Sequence, residues 1–174
     1  PVSAVINNAH HVKGTPMIKI KGYTRAERVE QDQKRGKKSR QEKKPGSWEW
    51  LLKFTEEALE SKLPYQAAIA WFMFTTGARI SQCCEMTPED NLNLREGKAI
   101  IPAAKGHDER EVDLMPEVVV MLANLTPRNG LVFGYASRSS VYGPWTGICE
   151  RAKIDRIMPH AAGRHGFGTE LLTR

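Results

Sequence analysis

One arginine occupies a position from which its side chain could hold an anion. Arg79 follows an apolar run, residues 67–74, and the break at Gly77. A guanidinium fixed by packing matches two phosphate oxygens at once and keeps its charge at any working pH. The alternative for Arg79 is an ion pair with a core carboxylate such as Glu85. The first reading predicts a phosphate clamp, and the second a structural arginine.

The elements around Arg79 are predicted from periodicity. Residues 67–74 are apolar on every face, which is typical of a helix surrounded by protein. Pro64 suits its first turn and Gly77 its end. Ile80, Cys83 and Cys84 recur at helical spacing, so a second, short helix is predicted with Arg79 near its start.

Short alternating segments follow, and they predict a small sheet. Residues 99–103 and 111–114 have strand character, residues 92–94 lead into a turn at Glu96 and Gly97, and a hairpin turn at 105–108 places Lys105 at its mouth. A hairpin lysine is by itself most often a solvated side chain.

The remaining segments are mainly helical. Ser47 is predicted as the N-cap of a helix with an apolar stripe. Further helices are predicted over 116–125, over 144–153 and from near Gly163 to the end. Residues 131–134 are predicted to form a brief extended piece. The predicted fold class is α+β: a mainly helical domain with a three-stranded antiparallel sheet.

The basic charge lies in one segment. The net charge is +6, but residues 13–44 hold twelve Lys and Arg against four acids, so this segment carries +8 and the remainder −2. Such a run predicts nucleic-acid binding, because cations on phosphates release counterions. The alternative is a solvated flexible linker. The residues predicted to bind, which the resemblance described below assigns to DNA, are Lys34, Arg35, Lys37, Lys38, Arg40, Lys43 and Lys44.

Length and composition narrow the classes of protein. The 174 residues suit one domain with a small appendage. No stretch has transmembrane length or a signal-peptide pattern, so a cytoplasmic location and no membrane partner are expected. Cys83, Cys84 and Cys149 form no Cys-x-x-Cys pair and are interpreted as core residues, with no disulfide or zinc site.

Segment 159–169 contains His160, Arg164 and His165, and Arg79 and Lys105 lie upstream of it. Together these residues resemble the arginine box of the tyrosine recombinases, the phage-integrase family. The resemblance covers residues 47–174 and implies that Arg79 and Arg164 clamp the scissile phosphate. It also implies that Lys105 is the general acid for the 5′ oxygen, that His160 assists the tyrosine proton or orients the phosphate, and that His165 has a supporting, mainly structural role.

Three departures from the family pattern stand out. The chain has His-x-x-x-Arg where His-x-x-Arg is usual, so either the loop before the helix absorbs one extra residue or Ala161 takes the family position. Gln82 stands where glutamate is usual, and it can still orient a neighbour by hydrogen bonding. Tyr23, Tyr65, Tyr135 and Tyr142 all precede Arg164, whereas the family's nucleophilic tyrosine follows the second arginine.

The resemblance implies three regions: residues 1–14 as the tail of an N-terminal core-binding domain, 15–46 as a basic linker, and 47–174 as a catalytic domain incomplete at its C-terminus. The implied function is site-specific DNA recombination or integration through a 3′-phosphotyrosyl intermediate, with no metal or nucleotide cofactor. Double-stranded DNA is the expected partner and a tetramer the expected assembly in the full-length protein.

The fragment itself is expected to bind DNA without cutting it, in the nucleoid of a bacterial or phage-infected cell. One alternative is a catalytically silent DNA-binding relative. Another is a basic scaffold or RNA-binding domain, in which Arg79 and Arg164 would lie far apart.

Overall fold

A computed structural model describes residues 24–35, 44–104 and 106–173. The chain divides into two units, Pro1–Glu42 and Lys43–Arg174. Among the described residues, the first unit contributes one helix and the second contributes all other elements. No helix in these ranges is long and apolar enough to cross a membrane.

The order of elements confirms the predicted fold class. In chain order they are α1 (Arg25–Lys34), α2 (Trp48–Glu60), α3 (Pro64–Thr76), α4 (Ile80–Cys83), α5 (Pro88–Asn91), β1 (Leu92–Asn93), β2 (Lys98–Ile101), β3 (Arg110–Asp113), α6 (Pro116–Ala123), α7 (Arg138–Arg151), a π-helical turn (Ala161–His165) and α8 (Gly166–Thr173).

Helix α3 is the centre of the second unit. Eleven of its thirteen residues are buried, as the apolar run predicts. It packs against α2, α4, α6, α7, the π-helical turn and α8. Trp48 covers one side of its last turns, with its ring 4.8 Å from that of Phe74. Truncating a fully buried ring such as that of Phe72, 0% exposed, to alanine costs about 3–5 kcal/mol.

The sheet has the order β1-β2-β3 and is antiparallel throughout. In the β2–β3 pair, Lys98 lies opposite Asp113 and Ile101 lies opposite Arg110. Beyond this pair, Ala104 and His107 exchange backbone hydrogen bonds of 3.0 and 3.2 Å. The predicted hairpin is therefore present, and its register sets which β3 side chain reaches the end of α3.

One local prediction is wrong, and the structure adds detail to two others. Helix α7 begins at Arg138, after Ser137 in extended conformation, instead of at residue 144, because Val141 and Trp145 are buried one turn apart. In residues 131–134, predicted as a brief extended piece, Leu131 forms an isolated bridge with Arg128 and Val132 donates a 3.0 Å hydrogen bond to the Met86 carbonyl. Helix α1 lies inside the segment interpreted as a linker.

The three cysteines are free and buried, as predicted. Burial raises the pKa of Cys84 and of Cys149 to about 11. It also raises the pKa of the Cys83 thiol, which is fully buried. A buried, protonated thiol behaves as a small apolar side chain.

Candidate functional site

The C-terminal end of α3 is where the two predicted arginines meet. Gly77 ends the helix with φ 68°, and its N–H donates to the Met73 carbonyl. The last carbonyls of a helix lack partners within the helix and carry partial negative charge, which favours cations there. Arg164 Nη1 donates to the Gly77 carbonyl at 3.2 Å, and Arg110 Nη2 donates to the Thr76 carbonyl at 2.6 Å.

Arg79 follows at the start of α4. It is the N-cap residue, in extended conformation, and its N–H donates to Gln82 Oε1 at 2.9 Å. The Gln82 amide nitrogen in turn donates to the Pro102 carbonyl at 2.5 Å, just beyond β2. Gln82 is buried and orients a neighbour by hydrogen bonding, as predicted. It therefore ties the backbone of Arg79 to the hairpin that carries Arg110.

Arg79, Arg110 and Arg164 form what we call the arginine cluster. Burial, followed by the positive charges of Arg79 and Arg110, lowers the pKa of Arg164. Within the ranges that the structure describes, no carboxylate forms an ion pair with any of the three, so the proposed Glu85 partner of Arg79 is not observed. Uncompensated like charges repel one another, and an anion would relieve that repulsion.

Glycines allow the segment that carries Arg164 to approach α3 closely. A Cβ at Gly163 would lie 2.5 Å from Met73 Cβ, and one at Gly166 would lie 2.7 Å from Phe74 Cε2. A Cβ at Gly77 would meet the Phe167 ring at 2.6 Å. These contacts leave no room for a side chain. They bring the backbone beside Arg164 directly onto the last turn of α3.

The extra residue between His160 and Arg164 lies inside a helix and not in the preceding loop. Residues Ala161–His165 form a π-helical turn, with the Gly166 N–H donating to the Ala161 carbonyl five residues earlier. Such a turn holds one residue more than an α turn and is found frequently at functional sites. The insertion is therefore accommodated without breaking the helix that presents Arg164.

The two predicted histidines lie together on this turn. The His160 and His165 rings are 4.8 Å apart and nearly perpendicular. His160 is half-buried and His165 is exposed. The loop before them is held in place because the Trp50 and Trp145 indoles donate to the carbonyls of Asp155 and Ile157, each at 2.9 Å. The structure thus places one histidine directly after Arg164 and the other about one turn before it, with their rings in contact.

The remaining predicted residues are only partly described. Lys105, the predicted general acid, lies outside the described residues, as do Lys37, Lys38, Arg40 and Lys43. Lys34 is exposed and pairs with Glu30 within α1, Arg35 is exposed, and Lys44 pairs with Asp155. Their roles stay predictions.

Arg110 is a member of the cluster that the sequence analysis missed. It stands between Glu109 and Glu111, which is the usual composition of a solvated strand. The contact with Thr76 depends on the β2–β3 register. The one available signal was its position on the hairpin that was already singled out for Lys105.

Two of the described tyrosines have hydroxyl groups bound away from the cluster. The Tyr65 hydroxyl donates to the Thr126 carbonyl at 2.6 Å, and the Tyr135 hydroxyl accepts a 2.8 Å bond from Gln66. Tyr142 packs against the core. No group of His, Cys, Asp and Glu that could hold a metal ion occurs among the described residues.

The family profile described as the phage integrase family matches residues 46–174. The chain therefore belongs to the phage integrase family. A comparison with the curated proteins found no match.

Among solved structures, the XerA recombinase aligns with a TM-score of 0.60 and 21% identity over 78% of this chain and 52% of that chain. The integrase of mycobacterium phage Brujita aligns at 0.57 and 21% over 98% and 55%. Lambda integrase, solved as a dimer bound to a COC′ core site, aligns at 0.59 and 14% over 92% and 47%. The chain thus spans about half the length of these proteins and shares the recombinase fold.

Proposed function

We propose that this chain is part of a tyrosine-type site-specific recombinase that binds double-stranded DNA through the arginine cluster. The observation that carries the proposal is that Arg110 and Arg164 bind carbonyls at the end of α3, with Arg79 close enough for its charge to act on Arg164, and that no carboxylate is paired with any of the three among the described residues. A phosphodiester has the charge and the oxygen geometry that guanidinium groups bind best.

In the proposed reaction, a tyrosine oxygen attacks the scissile phosphorus and the bond to the 5′ oxygen breaks, leaving a 3′-phosphotyrosyl link. Arg79 and Arg164 stabilise the negative charge that develops on the non-bridging oxygens. Lys105 gives a proton to the leaving 5′ oxygen, and His160, supported by His165, takes the tyrosine proton or orients the phosphate.

The wider setting follows from the same proposal. The tyrosine that supplies the nucleophile is neither Tyr65 nor Tyr135, because their hydroxyls are bound elsewhere in the fold. The basic segment 13–44 would follow the DNA backbone. The whole protein would act as a tetramer on two duplexes in the nucleoid, without a metal or nucleotide cofactor.

The DNA-binding part is tested with the chain itself. Affinity for a labelled duplex is measured by fluorescence anisotropy over a NaCl series, for wild type, Arg79→Ala and Arg164→Ala. Each lost phosphate contact should reduce the slope of log affinity against log salt by about 0.9. Arg151→Ala is the matched control, because Arg151 is already paired with Glu57 at 2.7 Å. Equal slopes for all four proteins would contradict the proposal.

Strand cleavage is tested with the complete gene product. It is expressed beside its native flanking DNA, and covalent protein–DNA adducts are recovered under denaturing conditions and sequenced. We expect adducts at a defined site and none with Arg164→Ala. Salt-dependent DNA binding without any adduct would instead identify a catalytically silent DNA-binding relative.

A further inference from the structure

Arg110 reaches the arginine cluster from a different element than the other two arginines. Its Nη2 donates to the Thr76 carbonyl at 2.6 Å, and Arg164 Nη1 donates to the neighbouring Gly77 carbonyl at 3.2 Å. Arg79 lies two residues after Gly77. One arginine therefore comes from β3, one from the π-helical turn and one from the start of α4, all at a single helix end.

The bond to Thr76 uses little of the binding capacity of Arg110. A guanidinium carries five N–H donors, and the side chain is exposed. The adjacent acid on β3 does not neutralise it, because Glu111 projects to the other face of the strand and pairs with Lys98 at 2.6 Å. Among the described residues no other carboxylate is paired with Arg110 either.

The partial negative charge at the end of α3 favours cations, but it does not by itself account for three guanidinium groups with no carboxylate paired to them among the described residues. A neutral donor such as glutamine could cap the Thr76 carbonyl without placing a third positive charge beside Arg79 and Arg164. Three positive charges close together repel one another, and an anion bound among them offsets that repulsion.

We propose that Arg110 binds the DNA backbone phosphate together with Arg79 and Arg164, as a third cation of the same site. This inference rests on the proposed function. The bond to the Thr76 carbonyl holds the guanidinium in place, and its remaining donors face the anion.

The test uses the chain, a labelled DNA duplex and the same NaCl series. The variants are Arg110→Gln, which keeps a neutral donor for Thr76, Arg110→Lys, which keeps the charge, and Arg110→Ala. Arg95→Ala is the control, because Arg95 is an exposed arginine in the turn at the opposite end of the same sheet. Melting curves in the same buffers verify that each variant is folded. If Arg110→Ala unfolds, the comparison of Arg110→Gln with Arg110→Lys still decides the outcome.

We expect Arg110→Gln and Arg110→Ala to reduce the salt slope by about 0.9 each, as one lost phosphate contact does, while Arg110→Lys and Arg95→Ala retain it. If Arg79→Ala and Arg164→Ala reduce the slope but Arg110→Gln matches wild type, Arg110 only caps α3 and the inference is wrong. If none of the cluster variants changes the slope, the proposed function fails as well.

Discussion

Arginine side chains in this chain are held either by a carboxylate or by backbone carbonyls. Arg151, at the end of α7, donates from Nε to the Glu57 carboxylate at 2.7 Å and to the Ser61 hydroxyl at 3.0 Å. Arg110 and Arg164 donate to backbone carbonyls at the end of α3. A carboxylate neutralises an arginine, whereas a carbonyl orients it and leaves its charge available. The difference separates a structural ion pair from a site prepared for an anion.

The largest effect should come from moving Arg164 off its carbonyl. Gly163→Ala places a Cβ 2.5 Å from Met73 Cβ and 3.3 Å from the Met73 backbone carbon, so the turn must shift. We expect a loss of about 1–3 kcal/mol in the free energy of unfolding, measured in urea, together with weaker DNA binding.

Gly168→Ala is the control for that change. It lies in α8 with no atom within 4 Å of the added Cβ, so a gain of about 0.5–1 kcal/mol is expected from the helix preference of alanine. A Gly163→Ala variant as stable as wild type, with the same DNA affinity, would show that the close contact does not position Arg164.

A smaller effect is expected from shortening the π-helical turn. Deleting Ala162 removes the surplus residue and should leave an α-helical His-x-x-Arg turn with Arg164 still at the Gly77 carbonyl. We expect a loss of about 1 kcal/mol in urea unfolding, the size of an ordinary single change, with DNA affinity retained.

Inserting one more alanine after Ala162 is the opposite change. A further residue rotates one side of the helix by about 100° relative to the other and should abolish the Arg164 contribution to DNA binding. Equal damage by the deletion and the insertion would mean that the π turn is not a removable insertion.

The smallest effect concerns the paired arginine. Hydrogen bonds from Ser61 and then from Arg151 lower the pKa of Glu57 below its ordinary 4.5. A lowered folded-state pKa stabilises the native state above about pH 4.5, and that contribution is lost as the pH falls through the folded-state value.

Glu57→Gln should therefore flatten the acid side of the stability–pH profile, measured by thermal melting between neutral pH and pH 3, while DNA binding is unchanged. Replacing its exposed helix neighbour, Glu56→Gln, serves for comparison. An unchanged acid limb in Glu57→Gln would mean that neither the Ser61 nor the Arg151 hydrogen bond stabilises the ionised Glu57 carboxylate in the folded protein.

Local signals made the centre of the fold predictable. The apolar run, Pro64 and Gly77 act within one helix, so α3 and its end follow from the residues themselves. The start of α7 was misplaced at Pro144 because proline usually marks a first turn. Here the burial of Val141 and Trp145 one turn apart prevails, and the proline lies inside the helix.

The candidate site was predictable only in part, because it depends on pairing between distant segments. Arg110 meets Thr76 across 34 residues, through a strand register that no local pattern encodes. The extra residue before Arg164 left two alternatives, an insertion in the loop or a shift of Ala161 into the family position, because Ala161, Ala162 and Gly163 contain no feature that indicates a wide helical turn. Arg79 was accessible to sequence reasoning because its position follows from the end of one helix.

The buried Gln82 has one further consequence. Its amide accepts from the Arg79 N–H and donates to the Pro102 carbonyl, so both ends of the side chain are occupied by groups that do not titrate. A glutamate there could accept from Arg79 but would need a proton of its own to donate to Pro102. In this chain the connection between Arg79 and the sheet therefore does not depend on pH over the range in which the protein stays folded.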